Sequence, residues 1–435
     1  MNNLRELPRK LGLFDATAVV VGTMIGSAIF LVPSSIARSL PSTGSILAVW
    51  VVAGVLSFFG ALAYAELGAM KPSTGGQYVY LRDAFGPFWG FLCGWSFFLA
   101  ARSGGIATVA VGFSIYVQYF VPIPPSVSWA VAPGLILFLT WVNYRGVRLG
   151  ANVQNVFTTL KVLGILILIA SAFMGEGHSI WQEIEPSRAF SLADFGGAMV
   201  AGLWAYNGWF AISLVAGEIT EPQRNIPRAL IIGVTAVMAI YLAANLGYLR
   251  VLSISEIIAT ERVAAATAER TLGAIGASLI ALTIVISTIG TTNGNLLSAP
   301  RLYFAQARDG LFFSKFGEVH PRYETPAFSV LGQGAWAAVL ALSGSYDKLL
   351  SYSTFTFWVF YGMTVAGVIV LRRTQPDLPR PYKMWGYPVT PAIFVAIAAW
   401  FVGNTIVAKP EPALMGTLMI ASGVPVYWWW RRKGA

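Results

Sequence analysis

The residues best placed to do chemistry lie where an apolar segment is interrupted. Gly22-Thr23-Met24-Ile25-Gly26-Ser27-Ala28-Ile29-Phe30 sets two glycines, a threonine and a serine in the middle of the first long apolar run. Inside a bilayer, backbone N–H and C=O groups must pair within their own segment, and irregular backbone persists only where protein shields it or it lines a watery cavity. Gly22 and Gly26 lower the cost of unwinding, and Ser27 adds a hydroxyl where freed N–H groups point at an anion, for which a carboxylate is the natural guest. The same small-residue spacing also lets a second helix pack closely. A second interruption, Gly202-Leu203-Trp204-Ala205-Tyr206-Asn207-Gly208-Trp209, lies inside a later apolar segment. Paired broken segments in the two halves of a membrane chain point to a substrate site near the midplane.

Two charges share these apolar surroundings. Lys161 precedes the apolar run Val162 to Phe173, near mid-depth and with no acidic neighbour in its own segment. An ionisable group there costs about 2.5 to 3.5 kcal/mol on insertion scales. It therefore sits among polar groups or gives up its charge, unless the segment ends nearby and the ammonium snorkels to the interface. Ser287, Thr291 and Asn295 recur every four residues on one face of a later segment, with Thr288 and Thr292 beside them, and offer such polar groups. Residues of this kind also bond back to their own helix or glue two helices together. Arg102, about fifteen residues into the third segment, has no evident partner and serves either the pathway or an interface.

The elements that must position these residues follow from composition. The 435 residues are 56% hydrophobic and 11% charged, with mean hydropathy +0.66, which makes the chain an all-α integral membrane protein and excludes a soluble domain of this length. Runs of about 20 apolar residues give twelve spans, starting near Asp15, Ser45, Pro87, Ser126, Gln154, Phe195, Arg228, Leu272, Pro326, Tyr346, Pro388 and Pro412. The net charge of +10 is a matter of topology, not of nucleic acid binding: with the N-terminus inside, twenty of the twenty-nine Lys and Arg fall on the cytoplasmic side. Both termini are then cytoplasmic in a multi-pass protein of the plasma membrane. No signal-peptide cleavage pattern follows the basic start. The connections Gly175 to Asp194 and Leu252 to Arg270 are too short to hold a core. Cys93, the only cysteine, reads as a small buried apolar residue. His178 and His320 fall in loops with no metal-ligand spacing, so neither an enzyme nor a metal or other cofactor is expected. The charged turns at Glu66 and at Gly217 to Arg228 read as helix termination; a gate there requires an ion pair that a sequence does not reveal.

GTMIGSAIF, AYAELGAMKPSTGGQYVYLRDAFG, the Lys161 segment, GLWAYNGW, GEITEPQRNIPRA and PRLYFAQARDG, in this order from about Leu11 to Pro326, resemble the amino acid-polyamine-organocation transporters, and among them the L-type amino acid transporter family. The resemblance implies a LeuT-like, five-plus-five inverted repeat with the first and sixth helices discontinuous, and two accessory helices. Residues 1–175 and 176–371 would form the two repeats and 372–435 the accessory helices. It implies that N–H groups around Gly26, Ser27 and Ala28 take the carboxylate of an L-amino acid, and that carbonyls of Thr23, Met24, Trp204 and Asn207 take its ammonium. Trp204 would gate the pocket, Asn207, Phe210 and Asn295 would line it, and Lys161 with Thr291 and Thr292 would couple the first break to its scaffold, where sodium-dependent relatives bind a cation.

The family pattern usually has glycine where this chain has Ala28, so the pocket floor is smaller or stiffer. Animal members carry an outer-loop cysteine for a glycoprotein subunit; the loop Tyr116 to Ser126 has none, so no heavy-chain partner is expected. The expected activity is sodium-independent exchange of small or medium neutral L-amino acids by alternating access. The alternatives are proton-coupled uptake through Lys161, possible acceptance of cationic amino acids, and a membrane receptor or enzyme.

Overall fold

The computed structural model of the protein describes residues 6–40, 42–175, 177–181, 190–342, 346–408 and 410–433. Among them every regular element is helical, and an isolated β-bridge joins Leu11 to Ile219. Among the described residues eight helices are long and apolar enough to cross a bilayer, or nine when a pair bent by 40° is taken as one broken span. That pair is α1 (Leu13–Met24) and α2 (Ala28–Ser39). The other elements of the site are α3 (Pro87–Val117), α4 (Val147–Met174), α5 (Leu192–Ala205), α6 (Pro222–Val251) and α7 (Ala274–Ser298).

Local chemistry sets many of the boundaries. Thr43–Met70, 28 residues and about 40 Å long at 1.5 Å per residue, starts where the Ser42 hydroxyl accepts the Ser45 N–H. Helix α5 starts at Ser191, whose hydroxyl accepts the Asp194 N–H at 3.3 Å. Pro222 opens α6 at a first-turn position where its missing N–H costs nothing. Around this framework α1 packs against α4, α6 and α7, while α5 packs against α2 and Thr43–Met70. The broken pair is thus held in the interior, as irregular backbone in a membrane requires.

Three details differ from the reading of the sequence. The second break is later than Gly202: α5 stays helical through Ala205, and the irregular stretch runs from Tyr206 to Phe210. Gly202 serves packing instead, since a Cβ there would lie 2.8 Å from Val49 Cγ1. The connection after Leu252 is also more ordered than a loop, holding the helices Ile254–Ala259 and Val263–Leu272. The first has a reciprocal cap in which Ser253 Oγ accepts the Glu256 N–H and the Glu256 carboxylate accepts the Ser253 N–H at 2.7 Å. The Arg270 guanidinium, with help from Ser253, holds the Glu256 carboxyl down at about 2. The third difference is a π-helical turn, Phe97–Ala101, inside α3 immediately before Arg102. The repeat boundary read at residue 176, and much of the connection from Gly175 to Asp194, lie outside the described residues.

Candidate functional site

The two breaks meet. Gly208 has φ +128°, and a Cβ built on it would lie 2.6 Å from the carbonyl carbon and oxygen of Thr23, so only glycine lets the second break approach the first this closely. Thr23 Oγ1 lies 3.0 Å from Gly208 O and 2.6 Å from Val19 O. The Tyr241 hydroxyl, on α6, lies 3.0 Å from Met24 O and 3.1 Å from Ala205 O, and so shares its proton between a carbonyl of each broken element.

Behind the first break stands Lys161, with no solvent exposure. Its Nζ lies 2.9 Å from Gly22 O, 2.7 Å from Ile25 O, 3.1 Å from Ser287 O and 3.1 Å from Thr291 Oγ1. These include carbonyls that a continuous helix would have bonded to its own next turn. Ser287 Oγ donates to Ile25 O at 3.0 Å, and Thr291 Oγ1 lies 3.1 Å from both Gly22 O and Ile25 O. Complete burial excludes snorkelling. The face read from Ser287, Thr291 and Asn295 is the one presented to the break, whereas Thr288 bonds back to Ile284 O and Val285 O. The Thr292 hydroxyl is buried without a hydrogen bond to the described residues.

The two glycines of the motif divide the two meanings of their spacing. A Cβ on Gly22 would lie 2.0 Å from Gln154 Nε2 and 2.2 Å from Thr158 Oγ1, so Gly22 is the close-packing position of α1 on α4. The nearest group to a Cβ on Gly26 is Thr291 Oγ1 at 3.9 Å. Gly26 faces room enough for a methyl group, at the edge of a cavity.

That space is a cavity of about 70 Å³, several times what a single water needs. It gathers Thr23, Met24, Gly26, Ser27 and Ala28 from the first break, Trp204, Asn207 and Phe210 from the second, and Thr291 and Asn295 from α7. At the start of α2 the Phe30 N–H turns back to Ser27 O at 3.1 Å, whereas the N–H groups of Ala28 and Ile29 precede any acceptor in their own helix. Met24 O already accepts from Gly26 N and from the Tyr241 hydroxyl, both at 3.0 Å, so both of its lone pairs are engaged, whereas Trp204 O accepts from Asn207 N at 3.0 Å and keeps one lone pair at most. Asn207 Oδ1 accepts the Tyr361 hydroxyl proton at 2.7 Å. Trp204 is a shared wall: beyond it lies a larger cavity of about 480 Å³, lined by Val32, Ser35, Gly197 and Asn404.

The other end of the broken elements is clamped. Lys10 and Leu11 N–H groups donate to Glu218 O at 2.8 and 2.9 Å, and Thr220 N–H donates to Leu11 O at 2.9 Å. The Glu218 carboxylate accepts from Arg301 Nε and Nη2 at 2.7 and 3.0 Å with both side chains fully buried. Glu66 likewise accepts from Arg372 Nε and Nη2 at 2.8 and 2.6 Å. The ion pairs that the sequence left open are therefore formed.

Sequence reasoning missed Tyr241, whose only signal was a hydroxyl in an apolar run, and the cavity residues Gly105, Val109 and Phe357. It singled out Arg102 but not its partner: Nη1 donates to Asn295 Oδ1 at 2.8 Å. Among the described residues no group of His, Cys, Asp and Glu is arranged to hold a metal ion.

A multi-pass helical membrane protein in which two broken elements enclose a small cavity belongs to the class of membrane transporters. The chain is a member of the amino acid permease family, whose model matches residues 11–430. It is 34% identical over 431 residues to the b(0,+)-type amino acid transporter 1 of Homo sapiens, covering 97% of this chain and 88% of that protein. It is 34% identical over 442 residues to the large neutral amino acids transporter small subunit 2 of Mus musculus, covering 98% and 82%. The serine/threonine exchanger SteT of Bacillus subtilis is 33% identical over 433 residues, covering 99% of this chain and 98% of that protein.

Proposed function

We propose that this chain is a sodium-independent exchanger of small or medium neutral L-amino acids, working by alternating access across the plasma membrane. The observation that carries this reading is the meeting of the two breaks on one cavity, with Lys161 behind the first. An ammonium fills the oxygen cage of Gly22, Ile25, Ser287 and Thr291, so a sodium ion has neither the ligands nor the charge balance to bind there. The substrate carboxylate is taken by the N–H groups of Ser27 and Ala28 at the start of α2, where the helix dipole favours an anion. Its ammonium is held by the carbonyls of Thr23 and Asn207 and the remaining lone pair of Trp204, while Met24 O, engaged by Gly26 N–H and the Tyr241 hydroxyl, forms the wall beside it. Phe210 and Asn207 shape the side-chain space, and Trp204 is the gate between the two cavities. Lys161 and Thr291 couple the first break to α4 and α7; Asn295 orients Arg102, and Thr292 acts only by packing.

The small volume favours small side chains, and the cavity lining contains no Asp or Glu to balance a cationic substrate. The exchanger and transporters among the relatives support the same reading. For the architecture we propose twelve spans, the nine above together with α5 and its continuation to Glu218, Ala327–Leu342 and Pro410–Lys433. They form repeats over 1–175 and 176–371 and accessory helices over 372–435, with both termini cytoplasmic and no heavy-chain subunit.

The test is uptake of radiolabelled L-alanine into proteoliposomes of the purified protein without sodium. Uptake only into vesicles preloaded with unlabelled amino acid is expected. Equal uptake into empty vesicles refutes exchange, and acceleration by an inward proton gradient replaces it with proton coupling.

A further inference from the structure

Where the final helix Pro410–Lys433 ends, a cleft of about 680 Å³ opens between it, the helix Gln77–Phe85 and the first turn of α3. Asp309 and Leu311, which follow the helix Pro300–Arg308, complete the lining. The chain turns from Gln77–Phe85 into α3 at Gly86, where a Cβ would meet no atom within 4 Å, so the turn leaves room beside it.

The lining divides into charge and apolar surface. Its charged side chains are Arg82, Asp309 and Arg431. The Tyr78 hydroxyl and Arg82 Nη1 both donate to Asp309 Oδ2, and Arg82 Nε donates to Asp83 Oδ1 at 2.9 Å, while Asp83 is paired with Lys71 as well. Lys71 and Arg82 thus balance Asp83 and Asp309, and Arg431 is the surplus charge. Its guanidinium carbon lies 5.5 Å from the centre of the Trp428 ring, an aromatic contact in place of an ion pair among the described residues. Phe85, Pro87, Phe88, Leu311 and Tyr427 supply the apolar wall, with the Tyr427 ring held 5.2 Å from that of Phe88 and 5.5 Å from that of Phe91.

The place of the cleft is set by its neighbours. Trp89 and Trp428, next in sequence to the lining residues Phe88 and Tyr427, are 39% and 50% exposed. Tryptophans gather at the headgroup level of a bilayer, and α3 begins and the final helix ends here, so the cleft opens where headgroups lie. Guanidinium groups between membrane helices at this depth suit a phosphate, which they can grip with two parallel N–H bonds. A free phosphate ion makes no use of the apolar wall, whereas a phosphodiester that carries acyl chains uses both parts of the lining. A zwitterionic headgroup brings its own cation; an anionic one brings the single net charge that Arg431 leaves unmatched.

We propose that this cleft is a binding site for an anionic phospholipid, with the phosphodiester held by Arg431 and Arg82 and the glycerol backbone and upper acyl carbons against Phe88 and Tyr427. A lipid seated there bridges the final helix to Gln77–Phe85, and so stabilises the fold against heat. Nothing in this depends on what the cavity between the two breaks carries.

The experiment follows the melting midpoint of the purified full-length protein in an uncharged detergent during titration with dihexanoyl-phosphatidylglycerol, dihexanoyl-phosphatidylcholine and inorganic phosphate. Phosphatidylglycerol is expected to raise the midpoint at concentrations about fivefold or more below phosphatidylcholine, the factor one basic residue supplies, and inorganic phosphate is expected to leave it unchanged. Arg431→Gln is expected to abolish the preference between the two lipids. Arg432→Gln, which removes the same charge from the neighbouring exposed residue outside the lining, is expected to keep it. Equal potency of the two lipids overturns the site. A preference lost equally in both variants also overturns it, showing only diffuse surface charge, and stabilisation by inorganic phosphate at the same concentrations shows a free-anion site instead. If Arg431→Gln does not fold, the wild-type titrations still decide.

Discussion

Replacing Lys161 by methionine, which keeps most of the stem and removes the ammonium, asks what the charge behind the first break contributes. An ammonium has three protons, so at most three of its four oxygen contacts are full hydrogen bonds at once. At about 1.5–3 kcal/mol per charge-assisted bond, three amount to about 5–9 kcal/mol. Deleting a charge from membrane depth returns about 2.5–3.5 kcal/mol. The difference, about 2–6 kcal/mol, is what holds the break against α4 and α7. Ser287 and Thr291 still reach Ile25 O and Gly22 O in the variant, which places the loss at the low end. A loss of about 2 kcal/mol in the competent geometry lowers the exchange rate about 30-fold. The assay is the initial rate of labelled alanine uptake into loaded proteoliposomes, at matched amounts of monodisperse protein, with Lys161→Ala in parallel. Wild-type flux in monodisperse Lys161→Met would remove the ammonium from the mechanism, whatever its effect on stability.

Gly22→Ala and Gly26→Ala should separate: the first forces a methyl into Gln154 and Thr158 and lowers the melting midpoint, at a cost of about 1–3 kcal/mol, whereas the second keeps the midpoint and impairs alanine binding. Equal midpoints for the two variants would contradict the division of roles. Tyr241→Phe removes the proton shared by Met24 O and Ala205 O; the loss of about 1 kcal/mol slows exchange roughly fivefold, and an unchanged rate would show that the breaks are aligned without it. Glu218→Gln leaves Arg301 buried without its counter-charge, a loss of about 3–5 kcal/mol read as a lower melting midpoint. Adding Arg301→Met should recover most of it, and a double variant no more stable than the single one would refute the pairing argument.

What the sequence by itself determined was type and period. An apolar chain must span a bilayer, a glycine pair in an apolar run must either pack or unwind, and a four-residue recurrence must put Ser287, Thr291 and Asn295 on one face. These are local consequences of a solvent that satisfies no backbone groups. Tertiary structure decided which alternative each residue realised. Gly22 packs and Gly26 opens because α4 approaches the first and not the second. Gly202 stays helical and packs closely on Thr43–Met70, and the second break lies at Gly208, where the backbone reaches Thr23. Lys161 and the hydroxyls opposite it are separated by more than a hundred residues, as are Arg102 and Asn295. The same holds for Tyr241 and the carbonyl of Met24. No local period encodes such pairings; they exist only because packing brings distant helices to the same depth around the broken pair.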